Sequence, residues 1–292
     1  MTRSLSAGMI AHLAGSAHTR AVCLRLDLAD GSVLAVTDHD RALSIDLGDG
    51  AVSYSPATGI LPSDLATACG FSASDVEVRG PVTETGLTTL AALLGGRFDD
   101  ATARLFEVNW ADLSHGVLRL LNGYVALVTV EGSQFRLTIH SEVSRFTQTI
   151  GRVISAYCDA DFMDARCGYS EAALTATVSA VTDEREFSVT YSGTFINDYF
   201  NRGTVTFTGG ALAGTRRVEI FDFASGGAGA GALALYAPLA QAPLVGDTLT
   251  IKRGCGKTRA ACLAYGNVIN FRGCPDVPGT DQVLKYPNGG QA

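Results

Sequence analysis

The stretch AVCLRLDLADGSVLAV (residues 21–36) alternates apolar and polar side chains through Val22, Leu24, Leu26 and Leu28. It breaks at Asp30-Gly31 and resumes as Val33-Leu34-Ala35-Val36. Period-two alternation puts the apolar set on one face of a strand, and Asp-Gly is a strong turn signal, so the stretch reads as a β-hairpin. The same alternation recurs at Ala42–Leu47, Ala51–Tyr54, Val76–Val78, Ala103–Asn109, Gly116–Val130 and Phe135–His140, mostly bounded by Gly, Asp or Pro. The first half is therefore mainly β. Three segments read as helical instead: Leu61–Cys69, with Pro62-Ser63-Asp64 as a cap-like start, Thr88–Leu94 and Ser141–Ile150. Upstream, Ala7–Ala17 resembles a signal-peptide core but carries His12 and two glycines. The three- and four-residue spacing of Leu5, Met9, Ile10 and Leu13 makes it a short amphipathic helix.

The second half repeats the pattern at Leu174–Thr182, Phe187–Tyr191, Gly203–Thr208, Arg216–Phe223, Ala232–Tyr236 and Thr248–Arg253. With 292 residues the chain has room for two domains, and the expected division is 1–150 and 151–292, both β-rich with a few short helices. Ser225–Gly231 reads SGGAGAG, too poor in side chains to pack and lacking the Lys-Ser/Thr of a phosphate cradle, so a flexible surface loop is expected. Lys and Arg total 22 against 29 Asp and Glu, and no basic run exceeds Arg216-Arg217, which argues against an electrostatic nucleic-acid binder. Only 17% of residues are charged, which suggests a surface covered by partners. No apolar stretch reaches the roughly 18–20 residues of a membrane span, so no integral membrane insertion is expected. With no export signal recognised, a reducing cytoplasm is expected, where cysteines serve as metal ligands or buried hydrophobes, not as a disulfide framework.

Seven cysteines fall at 23, 69, 158, 167, 255, 262 and 274. Cys23, inside a strand, and Cys69, ending a small apolar helix, read as core residues. The others gather in two segments: Cys158 and Cys167 as C-x8-C, Cys255 and Cys262 as C-x6-C, with Cys274 beyond. Small residues and cations in Arg166-Cys167-Gly168 and Gly254-Cys255-Gly256-Lys257 favour thiolates. Four thiolates can hold Zn²⁺ or an iron–sulfur cluster, and the two pairs can equally be buried separately; spacing alone leaves both readings open.

Several motifs then occur in order across nearly the whole chain. Thr37-Asp38-His39-Asp40 with Leu43, Val108-Asn109-Trp110, Asp164-Ala165-Arg166-Cys167-Gly168, Gly254-Cys255-Gly256-Lys257, Cys262, Phe271-Arg272-Gly273 and Pro278-Gly279 together resemble the tail-tip hub proteins of siphophages and of gene transfer agents. The resemblance implies tail-tube or hub-like β-barrel or sandwich domains. It also implies a [4Fe-4S] cluster ligated by Cys158, Cys167, Cys255 and Cys262, held in segments 157–168 and 254–275, with zinc as the lesser alternative. It places the chain in the tail of a phage-like particle as a homotrimeric ring, between the distal tail protein and a larger tip or baseplate protein, with DNA passing through the channel. Two positions depart from the family pattern. Gly256 stands where an Asp is usual, and Cys274 where a Phe is usual, which makes Cys274 a core substitution and not a fifth ligand.

The remaining polar features point away from enzymology, and no catalytic residue is expected. Asp38-His39-Asp40 could orient a general base, but no nucleophile is marked beside it and neither G-x-S-x-G nor H-E-x-x-H occurs. The simpler expectation is that the two aspartates bond turn backbone while His39 packs or meets a neighbouring subunit. Trp110, the only tryptophan, reads as a core or interface anchor. The turn-rich stretch Gly273–Gly279 is expected to wrap over the second domain near the cysteines. The rival functions are an iron–sulfur redox enzyme or sensor and a tail-associated cell-wall hydrolase.

Overall fold

The computed structural model describes residues 5–56, 61–62, 75–148 and 150–277. The chain divides into two compact units, Met1–Thr149 with Ala211–Arg216, and Ile150–Gly210 with Arg217–Ala292.

In the first unit α1 (Ala7–Ala14) opens on Ser6, whose hydroxyl accepts the Met9 N–H, and stops at Gly15. The elements then run β1 (Arg20–Asp27), β2 (Val33–Thr37), β3 (Leu43–Asp46), β4 (Ala51–Pro56), β5 (Leu61–Pro62), β6 (Asp75–Pro81), α2 (Leu90–Leu94), β7 (Thr102–Asn109), β8 (Val117–Glu131), β9 (Gln134–Ser141) and α3 (Val143–Phe146). The described strands form one sheet in the order β3-β4-β2-β1-β7-β8-β9-β6-β5, antiparallel except where β2 meets β4. The opening hairpin is present: Cys23 lies opposite Thr37 on one side of β1 and opposite Phe106 of β7 on the other. Its connection is longer than a two-residue turn. Leu28 donates its N–H to the Ser32 carbonyl, and Gly31 takes the left-handed φ of 82° that the loop requires.

β1 is covered on both faces. Its even-numbered residues Leu24 and Leu26 join Leu93, Phe98, Leu105, Phe135 and Ile139 in one core. The odd-numbered Ala21 and Cys23 meet Leu43, Ile45, Tyr54, Phe106 and Val108 in a second, where the Phe106 and Tyr54 rings cross edge to face at 5.5 Å. Two helical expectations change. Of Leu61–Cys69, the first two residues form β5 and the rest lie outside the described residues. Of Ser141–Ile150, only Val143–Phe146 is helical, because β9 carries pairing through Ser141 opposite Gly123.

The second unit holds β10 (Leu174–Val181), β11 (Glu186–Tyr191), β12 (Thr204–Phe207), β13 (Val218–Ser225), β14 (Ala230–Leu235), β15 (Thr248–Lys252) and α4 (Arg259–Ala264). The six strands close into an antiparallel barrel in the order β10-β11-β14-β13-β12-β15, with β10 pairing back on β15. Closure leaves no free edge. Alternate residues, among them Val178, Phe187, Val189, Val205, Ile220, Phe223, Leu233 and Leu249, are buried. The glycine-rich stretch is a hairpin loop, shorter than residues 225–231, because Ala230 and Gly231 already belong to β14 and pair with β11. Mainly β architecture with a few short helices, including a barrel, is what the sequence leads one to expect.

Candidate metal centre

Cys158 and Cys167 lie in residues 150–173, a segment of turns and bends without helix or strand. Asp164 shapes it. Its carboxylate accepts the Cys167 N–H at 2.5 Å and the Asp161 N–H at 3.2 Å, while its carbonyl accepts the Gly168 N–H. The Cys167 N–H, helped by the Arg166 guanidinium, holds the Asp164 carboxyl below its usual range. Aspartate two positions before Arg in D-A-R-C-G is thus the residue that turns the chain and presents the thiol.

Cys255 follows β15 directly. The preceding Gly254 runs so close to Arg202 that a Cβ would sit 2.0 Å from its backbone carbon, so only glycine lets the chain through. Lys257 adopts a φ of 57° and turns its N–H toward the Cys255 sulfur at 3.4 Å. Thr258 then caps α4 by accepting the Ala261 N–H, and the first turn of that helix carries Cys262.

These two stretches, about a hundred residues apart, are tied by polar contacts. Cys158 donates its N–H to the Lys257 carbonyl at 2.8 Å, and the Lys257 ammonium reaches the Ala160 carbonyl. Asn267 donates its side-chain amide to the Cys167 carbonyl at 2.7 Å. The result places Cys158, Cys167, Cys255 and Cys262 around one pocket, with Phe162 and Tyr265 in its wall. All four thiols are free. Burial, reinforced by the neighbouring Cys255, Cys158 and Cys167, pushes the Cys262 thiol up. A bound cation would reverse the sign of that effect on Cys262.

An aromatic wall backs the cavity. The Phe162 and Tyr169 rings stack at 5.2 Å, Tyr265 lies about 5 Å from both, and the Arg253 guanidinium sits 4.1 Å from the Tyr199 ring and 4.7 Å from that of Tyr265. Glu171 accepts the hydroxyls of Tyr169 and Tyr199, each at 3.2 Å. Asn267, Tyr265, Arg253 and Glu171 escape sequence reasoning. The one usable signal is the density of amide and aromatic residues just after Cys262 in AYGNVINF.

The other singled-out residues lie elsewhere. Cys23 is fully buried in the first unit, and burial pushes its thiol up to about 11. Cys274 does not line the cavity; its N–H bonds the Ser155 carbonyl, which brings the start of the 273–279 turn against the segment leading to Cys158. Cys69 and residues 278–279 lie outside the described residues. Asp38 accepts the Val22 N–H at 2.8 Å and closes the β1–β2 pair. His39 packs on Trp110 with ring centres 5.0 Å apart and bonds its own loop at Arg41. Trp110, 43% exposed and packed on that imidazole, is not a core residue.

Among the described residues the scaffold is two β units, with four thiols around one pocket and the Asp38-His39-Asp40 cluster bonded to Val22 and within its own loop. Comparison with known proteins makes the class specific. The family described as baseplate hub protein, N-terminal attachment domain, matches residues 6–170, more than half of the chain, and the chain belongs to that family. Residues 198–281 match a second family, described as phage conserved hypothetical protein BR0599. Among solved structures, a chain from the virion of a native gene transfer agent particle is similar over 97% of both chains, with a TM-score of 0.81 and 27% identity. No curated protein matches the sequence.

Proposed function

We propose that this chain is a structural, non-catalytic hub subunit of a gene transfer agent-type tail tip. There it joins the distal tail protein to a larger tip or baseplate protein, as a homotrimeric ring through which DNA passes. The observation that carries this reading is the end-to-end likeness to a virion chain, which extends over both units and not only over the family-defining N-terminal part. A cyclic ring suits the role, because repeated head-to-tail contacts close around an axial channel. Among the described residues no helix is long and apolar enough to cross a membrane.

Within that role Cys158, Cys167, Cys255 and Cys262 hold a [4Fe-4S] cluster as a staple. The donor set fits it: four free thiols line one pocket, and four cysteine thiolates are what an iron–sulfur cluster, or a tetrahedral zinc, takes. When bound, such a cluster supplies metal–thiolate cross-links, so that binding free energy becomes folding free energy.

Anaerobic purification with iron and sulfide analysis tests the staple, and reconstruction of particles from a producing cell tests the placement. Iron and sulfide lost on Cys255→Ser but kept on Cys274→Ser, with the chain located at the distal end of the tail tube, is the expected result. A zinc protein would remove the cluster, and a chain located outside the tail would overturn the hub reading.

A further inference from the structure

Asn267 touches two of the four thiol-bearing residues at once, one from each segment. Its side-chain Nδ2 lies 2.7 Å from the Cys167 carbonyl oxygen and 3.6 Å from the Cys167 sulfur, so the two amide hydrogens serve the two atoms. Its backbone N–H bonds the Cys262 carbonyl at 3.0 Å, and its carbonyl accepts the Cys262 thiol at 3.1 Å. The amide is oriented from behind: Asn270 donates its own Nδ2 to the Asn267 Oδ1 at 2.7 Å, which leaves Nδ2 facing Cys167. Among the described residues the other N–H directed at one of the four sulfurs is the Lys257 backbone amide on Cys255, which substitution does not delete. Asn267 is therefore, among them, the side chain through which charge on a ligand sulfur can be altered.

We propose that Asn267 is a positioning residue for the bound cluster: its amide donates to the Cys167 sulfur, stabilises the reduced, more negative form, and so sets the cluster's reduction potential. The inference rests on the cluster reading above. Adding one electron to an iron–sulfur cluster spreads negative charge onto the ligand sulfurs, and an N–H donor to such a sulfur favours the reduced state. A donor whose orientation is already fixed by Asn270 needs no rearrangement on reduction, which makes its effect larger than that of a free surface amide.

The test is an anaerobic dithionite titration of the whole chain, followed by electron paramagnetic resonance and visible absorption, with iron and sulfide counted per chain. Asn267→Leu keeps the size and removes the donor. Its cluster should load fully and be about tenfold harder to reduce, a shift of about 59 mV to lower potential for one electron. Asn267→Asp, which puts negative charge beside the sulfur, should move it further in the same direction, and Asn270→Ala, which frees the amide, by less. A fully loaded Asn267→Leu protein with the wild-type midpoint overturns the proposal. If Asn267→Leu fails to load, Asn270→Ala decides: a lowered midpoint supports it and an unmoved one overturns it. Wild-type chain devoid of iron and sulfide removes the cluster reading itself, and this inference with it, a result distinguishable by the metal count alone.

Discussion

The sheet of the first unit and the cysteine-bearing segments of the second keep a chain ordered with different materials. In the sheet, β1 is buried on both faces and packs Leu26 and Cys23 into separate cores, each fully excluded from solvent. In the described residues of 150–173 and 253–277, Ala160 is the one buried hydrophobic, while Ile150, Val153, Ile154 and Ile269 are largely exposed. Apolar burial stabilises the sheet by roughly 25 cal/mol per Å² removed from water. The cysteine segments bury no such core, their rings Phe162, Tyr169 and Tyr265 being only half-buried, so backbone entropy there is opposed mainly by the hydrogen bonds of Asp164, Lys257, Asn267 and Thr258 and by whatever the thiols bind. Order without a core requires cross-links.

That contrast is broken or sharpened first at the thiols. Cys167→Ser combined with Cys255→Ser should lower the melting temperature of the second unit by roughly 10 °C or more and open residues 150–173 to proteolysis, leaving the first unit's transition in place. Calorimetry with mapping of the cleavage sites reads this out. Equal resistance to protease with the metal gone would show that the polar contacts suffice alone. Substitution in the sheet is the converse. Phe106, 1% exposed against Tyr54, should cost the first unit about 3–5 kcal/mol when changed to Ala, read by denaturant unfolding, with the iron and sulfide content unchanged. A loss of iron in Phe106→Ala would mean that the two regions do not stand separately.

The same contrast governs how much of the molecule is legible in its sequence. Most strand positions in both units follow from alternation to within a residue or two, because a half-buried strand must repeat every second residue; β6 runs three residues past its reading and β5 falls in a segment read as helix. Coverage of β1 on both faces and the parallel β2–β4 pair do not, since both depend on where a distant hairpin folds back. In the cysteine segments the spacing marks two cysteine pairs and the motif resemblance names the four that line the pocket, but the contacts that gather them stay hidden. Asp164 and Thr258 carry local turn and cap signals, whereas Asn267 acts over a hundred residues through a single amide, and no periodicity marks such a contact. Helix α4 escapes notice although Thr258 precedes it as a cap, because RAACLA is too short and too small-sided to display an amphipathic face.

The smallest expected effect lies in the one described thiol that belongs to the sheet. Cys23 is shut off from water, donates to the Thr37 hydroxyl at 3.5 Å, and is pushed from the usual 9.0 to about 11 by burial first, with Asp38 adding to it. A folded-state value above the unfolded one contributes stability that is fully present below pH 9 and is lost as pH rises through about 11. The rise from 9.0 to about 11 corresponds to a loss on the order of 2–3 kcal/mol for the first unit across that window. Cys23→Ala should start slightly less stable because of the small cavity it leaves, yet lack this part of the alkaline slope. Cys262 is also raised, by burial first and by its cysteine neighbours second; a metal bound there would hold it as a thiolate, and it would then add nothing to the slope. Denaturant midpoints of wild type and Cys23→Ala at about pH 8.5 and about pH 11 therefore separate the two kinds of cysteine. Parallel slopes would mean that the sheet's thiol ionises without opening the fold, and that burial there is looser than the packing of Phe106 and Tyr54 around it implies.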